Sequence, residues 1–594
     1  MFYEDLVKIY EKLEGNSKRL EKTYILSELF KNVKNEEIVE IVCLSRGRVF
    51  PDYDEREIGI SSQLAIKAIS SSSGISAEEI EKKWKNLGDL GKVAENFISK
   101  KRQSTLFSNK LTTKKVFENL RKAAEISGQG TVEKKIALIA ELLTSASPLE
   151  AKYIVRTVLE ELRIGVGDGV MRDAIVWASF QKEIGLSYNK EEKMIEIANK
   201  TEYPAYTSLV QEAYDLANDF SEVMVAAKNG VDCLKEIKLK PGYPIKVMLA
   251  LKSSDVNQAF ETVGRPAQFE FKYDGFRLMI NKDEKGRIKL FTRRLDNVTN
   301  QFPEVVEYAQ KYISGDSFII DSEAVGYDPK RLRYRPFQEI SQRIKRKYDI
   351  EKLQNELPVE VNIFDIVYYE GKNLIKMPFK KRSELLERIV KSEKWKIKLA
   401  EKIITDNEKE AQKFYEMAMS EGEEGIMAKN LQAPYKPGAR VGYMLKIKPD
   451  VNAFDLVIVG AEYGTGKRSG WLSSFILACK DENNFLEIGK VGTGIKEKAD
   501  EGLSFIELTN MLKPLITEEH ARTVKVKPEI VVEVTYQEIQ KSPSYSSGYA
   551  LRFPRVTKLR PDRSVGDIAS LKEIEIEHET RGGKKKETKP TKSI

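Results

Sequence analysis

The spacing of apolar residues changes twice along the chain. Through about residue 235 they recur three or four positions apart; Ile136, Ile139, Ala140 and Leu143, for example, form one stripe. That spacing puts one face of a helix into a core. Ser76-Ala77-Glu78-Glu79 and Ser147-Pro148-Leu149-Glu150 read as helix starts, the second with proline at the first helical position. From Phe269 the period becomes two. Residues 269–281 and 287–293 read as a hairpin closed by Lys282-Asp283-Glu284-Lys285-Gly286. Stretches 317–327 and 359–369 are further strands, with helices near 303–313, 336–347 and 378–392. Beyond Phe454 short strands at 455–463, 474–480, 485–492 and 529–537 alternate with glycine-rich turns, as in a small barrel.

These shifts predict a multidomain chain: an all-α domain over 1–238, an α+β domain with antiparallel sheets over 239–449, a small β-barrel over 450–575, and a disordered basic tail over 576–594. A length of 594 residues agrees, being too great for one core. The Lys-, Gly- and Pro-rich stretch 235–244 marks the first linker. With two histidines and three scattered cysteines, a disulfide framework and a Cys-rich zinc site are excluded and a histidine-based triad is not expected. The chemistry must rest on Lys, Arg, Asp and Glu. A net charge of +8, with both signs abundant, predicts a local basic patch for any nucleic acid. The N-terminus lacks a signal-peptide pattern and no apolar run nears the roughly 20 residues of a membrane span. The expectation is a cytoplasmic protein with no membrane partner.

Three stretches carry candidate chemistry. In Phe269-Glu270-Phe271-Lys272-Tyr273-Asp274-Gly275-Phe276-Arg277 an alternating pattern places Lys272 on a half-buried strand. A strand lysine is ordinarily a solvated side chain. Here Glu270 shares its face, Arg277 follows, and Gly275 allows a bend or a close approach by a ligand. A lysine nucleophile for phosphoryl chemistry is the sharper expectation. Arg163-Ile164-Gly165-Val166-Gly167-Asp168-Gly169 interrupts two helices and bares backbone N–H groups where the next helix begins, which suits phosphate contacts to a duplex. Gln103-Ser104-Thr105-Leu106-Phe107, in a basic and poorly periodic segment, resembles a shortened sliding-clamp-binding motif. Gly464-Thr465-Gly466-Lys467 is no phosphate-binding loop, because Ala461 and Arg468 break that pattern.

Downstream of Lys272 the same residue classes recur at strand ends: Thr292-Arg293-Arg294, Asp321-Ser322-Glu323, Asn362-Ile363-Phe364-Asp365, Glu423-Glu424-Gly425 and Leu445-Lys446-Ile447-Lys448. In this order they resemble the six motifs of the covalent nucleotidyltransferases. Leu551-Arg552-Phe553-Pro554-Arg555 and Arg560-Pro561-Asp562-Arg563 close the set. With the helical region they resemble the ATP-dependent DNA ligases, most nearly the archaeal and eukaryotic replicative type, over residues 1 to about 570.

That resemblance implies an enzyme that seals 5′-phosphate/3′-hydroxyl nicks in duplex DNA in replication, repair and recombination. It implies a lysyl-AMP intermediate on Lys272. Glu270 would meet the adenine edge and Phe364 stack on the ring. Arg277 and Arg293 would contact the ribose and nick phosphate, while Glu323 and Glu424 would hold the sugar and a divalent cation, Mg²⁺ or Mn²⁺. Lys446 and Lys448 would neutralise the α-phosphate, with Arg440 upstream on the same path. Arg552, Arg555, Asp562 and Arg563 would orient pyrophosphate during adenylation. Arg163, Gly165 and Gly167 would contact DNA, and Gln103, Leu106 and Phe107 a sliding clamp. The barrel would be an oligonucleotide-binding (OB) fold, and the protein a nucleoid-associated monomer. One departure stands out: the family's last motif commonly ends Asp-Lys, here Asp562-Arg563, which keeps the charge but changes its geometry.

The residue types suit that chemistry. Deprotonating an ordinary lysine at pH 7 costs roughly 4.6 kcal/mol, which neighbouring cations lower. Phosphoryl-type transfer needs charge neutralisation and in-line positioning more than acid–base groups. An RNA capping guanylyltransferase or RNA ligase shares the lysine motif, but the helical region of some 235 residues argues against both. An NAD-dependent ligase would need a four-cysteine zinc site. A clamp-associated DNA-binding protein with a degenerate pocket would not keep every catalytic position filled.

Overall fold

A computed structural model of the chain describes residues 1–54, 56–99, 110–126, 130–189, 194–335, 337–344, 346, 348–449, 453–468, 470–482, 484–497, 503–520 and 522–583. The clamp-like residues Gln103, Leu106 and Phe107 lie outside them. The chain divides into two compact units. The first comprises Met1–Ala77, Ala94–Met419 and Glu423–Lys448, and the second comprises Glu78–Val93, Ser420–Gly422 and the residues from Pro449 onward.

The first unit opens with a helical region, in which the capping box at Ser147 forms as the sequence predicts. The Ser147 hydroxyl accepts from the Glu150 N–H, and the Glu150 carboxylate accepts from the Ser147 N–H at 2.8 Å. One short hairpin interrupts the helices, pairing Leu186–Asn189 with Met194–Ile197. Two mixed sheets follow. The larger runs in the order Lys372–Asn373, Val359–Tyr369, Phe318–Asp328, Phe276–Lys282, Ile288–Thr292. The smaller runs Lys402–Thr405, Ala267–Phe271, Ile426–Asn430, Arg440–Ile447, Leu249–Ser253. Most pairings are antiparallel; Leu249–Ser253 joins Arg440–Ile447 in parallel.

Helices Pro303–Tyr312, Phe337–Ile344 and Phe379–Ile389 cover one face of the larger sheet through the core of Leu278, Ile280, Ile320, Val361 and Leu386. Its other face meets the smaller sheet: Met279, Ile319 and Val367 share a core with Val247, Met248 and Met444. The two sheets therefore sandwich a second apolar layer.

A buried ion pair fixes the outer helices. Arg343 Nη1 donates to Glu304 Oε1 at 2.7 Å and to the Leu357 carbonyl at 2.8 Å, and Nη2 reaches the Gln301 carbonyl at 2.7 Å. Both side chains are almost fully enclosed. Arg343→Met leaves the Glu304 carboxylate buried without its partner, a cost of about 3–5 kcal/mol. The expected result is a lowered thermal midpoint; an unchanged melting curve refutes it.

Two sequence expectations change here. The stretch 269–281 is not one half-buried strand. It is two strands in different sheets, and Ala267–Phe271 is buried on both faces. The supposed disordered tail from 576 begins as helix, Leu571–Gly583. Ser570 and Glu573 form a capping box there, and Ile574 is wholly buried in the second unit's core. The Ser570-Leu571-Lys572-Glu573 signature was present in the sequence.

The second unit is β-rich. Its long strand Ala453–Tyr463 pairs with Leu472–Asp481, Thr523–Val526 and Val531–Thr535, and Val531–Thr535 pairs with Arg555–Leu559. The sheet curls on itself: the Val556 N–H donates to the Thr493 carbonyl at 3.0 Å, just beyond the strand Asn484–Val491.

Candidate active site

Lys272 sits in the four-residue crossover where the chain leaves the smaller sheet at Phe271 and enters the larger one at Phe276. Two glycines allow that crossover. A Cβ on Gly275 would lie 2.4 Å from the Ala324 carbonyl oxygen and 3.0 Å from Glu323 Cγ. Gly425, at φ +139°, has the Ile447 carbonyl oxygen 2.1 Å from where its Cβ would be. The backbones lock together at this point, with the Lys272 N–H donating to the Gly425 carbonyl and the Glu424 N–H to the Lys272 carbonyl, each at 2.9 Å.

The side chains converge accordingly. Lys272 Nζ lies 2.6 Å from Glu424 Oε2, and Lys448 pairs with the same oxygen. All three are about one-fifth exposed, so the cluster opens to solvent on one side. Burial pushes the Glu424 carboxyl up, but Lys272 and Lys448 outweigh it and hold the group well below the usual carboxylate range. Glu323 behaves oppositely. Burial, reinforced by Glu424 and Asp321, pushes its carboxyl up to about 7 against the pull of Lys272 and Arg277. Lys446 and Lys448 are pushed down, by burial first and then by neighbouring cations; Arg440 and Arg293 are among those acting on Lys446. Arg440 and Arg293 themselves are exposed.

Arg277 is committed to protein partners. Its Nε donates to Asp321 Oδ1 at 2.8 Å, Nη2 pairs with the other Asp321 oxygen, and Nη1 donates to the Met248 carbonyl at 2.7 Å. Tyr435 completes the network by donating to Asp321 at 2.9 Å. A free arginine reaching towards a nick phosphate is therefore not what the structure holds.

At the other end, Glu270 is buried on the smaller sheet. Lys429 Nζ lies 2.6 Å from Glu270 Oε2, and Gln268 Nε2 donates to Oε1 at 2.7 Å. Lys429 Nζ also stands 4.6 Å from the centroid of Phe364, across from it on the larger sheet. Asp321, Tyr435, Gln268 and Lys429 carried no role in the sequence reading. Lys429 carried no local signal: it follows the apolar run Ile426-Met427-Ala428 and precedes Asn430, which reads as the polar end of a strand.

Arg163, Gly165 and Gly167 stand apart, before the helix Asp168–Ser179. Arg163 pairs with Glu161, and Gly165 takes φ +68° where Lys22 donates to the Ile164 carbonyl at 2.6 Å. Arg19, which pairs with Asp173 at 2.8 Å, lies beside Gly169, so two further cations flank this loop.

In the second unit Arg552 is 3.1 Å from Glu538. Arg560 holds Asp455 at 3.0 Å and Asp562 at 2.8 Å, and Arg563 Nε is 3.5 Å from Asp455. Arg555 is exposed and forms no ion pair among the described residues.

A lysine against a carboxylate, with further cations beside it and a sandwiched aromatic beyond, suits a polyphosphate with a base attached. Comparisons with known proteins agree. Family models match in three blocks: "DNA ligase N terminus" over residues 1–176, "ATP dependent DNA ligase domain" over 247–448, and "ATP dependent DNA ligase C terminal region" over 468–563. A DNA ligase of Nanoarchaeum equitans is 46% identical over 589 residues, covering 98% of this chain and 99% of that protein. One of Thermococcus fumicolans is 40% identical over 579 residues, covering 97% and 98%. A solved structure named Pmar-Lig_PreS3 matches with a TM-score of 0.56 over 93% of this chain and 99% of that one; at 16% identity it speaks for the fold alone.

Proposed function

The chain belongs to the ATP-dependent DNA ligases, whose general mechanism runs through a lysyl-AMP intermediate, and from that premise we propose that Lys272 is the residue that carries AMP. Lys272 Nζ loses a proton and attacks the α-phosphorus of ATP; the N–P bond forms as the bond to the bridging oxygen breaks and pyrophosphate leaves. AMP then passes to the 5′-phosphate at the nick. The 3′-hydroxyl attacks that phosphate, and AMP departs. The observation that carries this reading is the crossover itself, which presents Lys272 Nζ beside Glu424, Lys448 and Lys446.

The other roles follow from position. Glu270 meets the adenine edge and Phe364 stacks on the ring. Lys446 and Lys448, with Arg440 and Arg293 at the rim, offset phosphate charge. Arg277, committed to Asp321, shapes the ribose side. Glu323 and Glu424 fit an oxygen-seeking cation: they repel one another, and Glu323 forms no ion pair among the described residues. Mg²⁺, with Mn²⁺ as a substitute, would be held there with phosphate oxygens and water completing its shell, and would offset charge on the α-phosphate.

We read the second unit's curled sheet as an OB-fold and the Arg163–Gly167 loop, flanked by Arg19 and Lys22, as a contact to duplex phosphates. Domain limits at 238, 449 and 575, a monomeric state, a sliding clamp at Gln103–Phe107 and a role in replication, repair and recombination complete the proposal. Among the described residues no helix is long and apolar enough to cross a membrane.

The test is label transfer. Incubated with Mg²⁺ and α-phosphate-labelled ATP, GTP or NAD, the denatured protein is expected to retain label from ATP, and that label should chase into nicked DNA. Label from GTP alone would favour capping chemistry. No label from any of the three would overturn the reading.

A further inference from the structure

The described residues hold one buried ion pair at the base end of the site that the reaction itself does not explain. Glu270 and Lys429 are both nearly enclosed, and burying two charges is costly unless their geometry is fixed. Here it is fixed from several sides. Lys429 lies directly across the ladder from Gln268, and Glu270 follows two residues on along the same strand and face. One Glu270 oxygen takes the Lys429 ammonium and the other the Gln268 amide, each within 2.7 Å. Lys429 is pinned in turn. Its ammonium lies 4.6 Å from the Phe364 centroid and 4.7 Å from that of Phe379, and it donates to the Phe364 carbonyl at 3.3 Å. The carboxylate is therefore held in one orientation, as an acceptor only, next to the ring expected to stack on the base.

We propose that Lys429, with Gln268, is the positioning pair that makes Glu270 a filter for the 6-position of the purine. The proposal rests on the reading above, in which Glu270 meets the adenine edge. An acceptor-only carboxylate suits the 6-amino group of adenine, a donor, and opposes the 6-oxo group of guanine, whose lone pairs would face it. Polarity is the point: were the ammonium turned to the base instead, it would suit a 6-oxo group. A site built to bond one group rejects an analogue lacking it far more strongly than a merely apolar pocket does. Lys429 thus sets nucleotide choice without touching the reacting atoms. Its removal releases the carboxylate to other rotamers.

The test measures lysine adenylation by the full chain with ATP, GTP and purine riboside triphosphate, which lacks the 6-amino group. In Lys429→Met the preference for ATP over purine riboside triphosphate, as a kcat/KM ratio, is expected to fall by about tenfold or more. The change should come through KM for ATP, with kcat held within about threefold, the pattern of lost ground-state binding. Lys429→Arg, which keeps the charge, should recover most of the ratio. Gln268→Met should lower it less, and it serves as the second variant if Lys429→Met does not fold. An unchanged ratio in whichever of Lys429→Met and Gln268→Met retains adenylation overturns the assignment, as does an equal loss of kcat with all three nucleotides. A wild-type protein that takes no label from ATP would instead overturn the functional reading beneath it.

Discussion

Lys272→Arg is expected to lose lysine adenylation by more than about 10³-fold while the protein stays folded. The substitution keeps a positive charge in a position about one-fifth exposed, where a guanidinium can still pair with Glu424. Melting should therefore move little. What is lost is the nucleophile. An ordinary lysine gives up its proton at pH 7 for roughly 4.6 kcal/mol, whereas arginine, with a pKa of about 12.5–13.8, requires roughly 7.5–9 kcal/mol. That difference alone removes a factor of about 10²–10³, and delocalisation of the guanidine lone pair removes more. The last step does not use the lysine nucleophile, so sealing of a nick already carrying AMP on its 5′-phosphate should survive. Retained label on the Lys272→Arg protein would move the nucleophile elsewhere; loss of sealing on the adenylated nick would assign Lys272 a second role.

Lys272 was legible because charged residues appear in one order at the ends of apolar stretches. That order survives in the fold for Lys272, Glu424, Lys446 and Lys448, which stand at strand ends or in the crossover between the two sheets, whereas Glu323 lies mid-strand in Phe318–Asp328, where the sequence predicts a strand end. The crossover was not legible. Alternation holds through Tyr273 and slips phase at Asp274-Gly275, which allows a bend but does not signal a change of sheet; that depends on the Glu323 strand passing within van der Waals range of Gly275, a tertiary contact. The same limit hid the partners of Arg277 and Glu270. By default a charged side chain on a strand reads as solvated, and only the folded pairing shows that Asp321 and Lys429 are buried with them. The helix Leu571–Gly583 was missed for a different reason: Lys572, Arg581 and four glutamates read as a charged tail, while a single buried residue, Ile574, and a capping box order its start.

Arg555→Ala is expected to slow adenylation by about 10²–10³-fold while reducing the sealing of a pre-adenylated nick by less than about tenfold. Four residues of the closing motifs were candidates for handling pyrophosphate, and three already have partners within the second unit. Arg552 is paired with Glu538. Asp562 is held by Arg560, and that contact draws its carboxyl down to about 2. Arg563, standing where the family commonly has lysine, forms a looser ion pair, its Nε 3.5 Å from Asp455. Arg555 projects from the start of the strand Arg555–Leu559, exposed and without an ion-pair partner among the described residues. A bare guanidinium suits a leaving group that gains charge as it departs, and losing one such preorganised donor typically costs about 10²–10³ in rate. The asymmetry between steps makes the assignment testable, because only the first step releases pyrophosphate. Equal losses in both reactions would show that Arg555 serves DNA binding or the fold instead. Arg560→Ala provides the contrast: it strips Asp455 and Asp562 of a shared partner and should lower the melting temperature, which Arg555→Ala should leave in place.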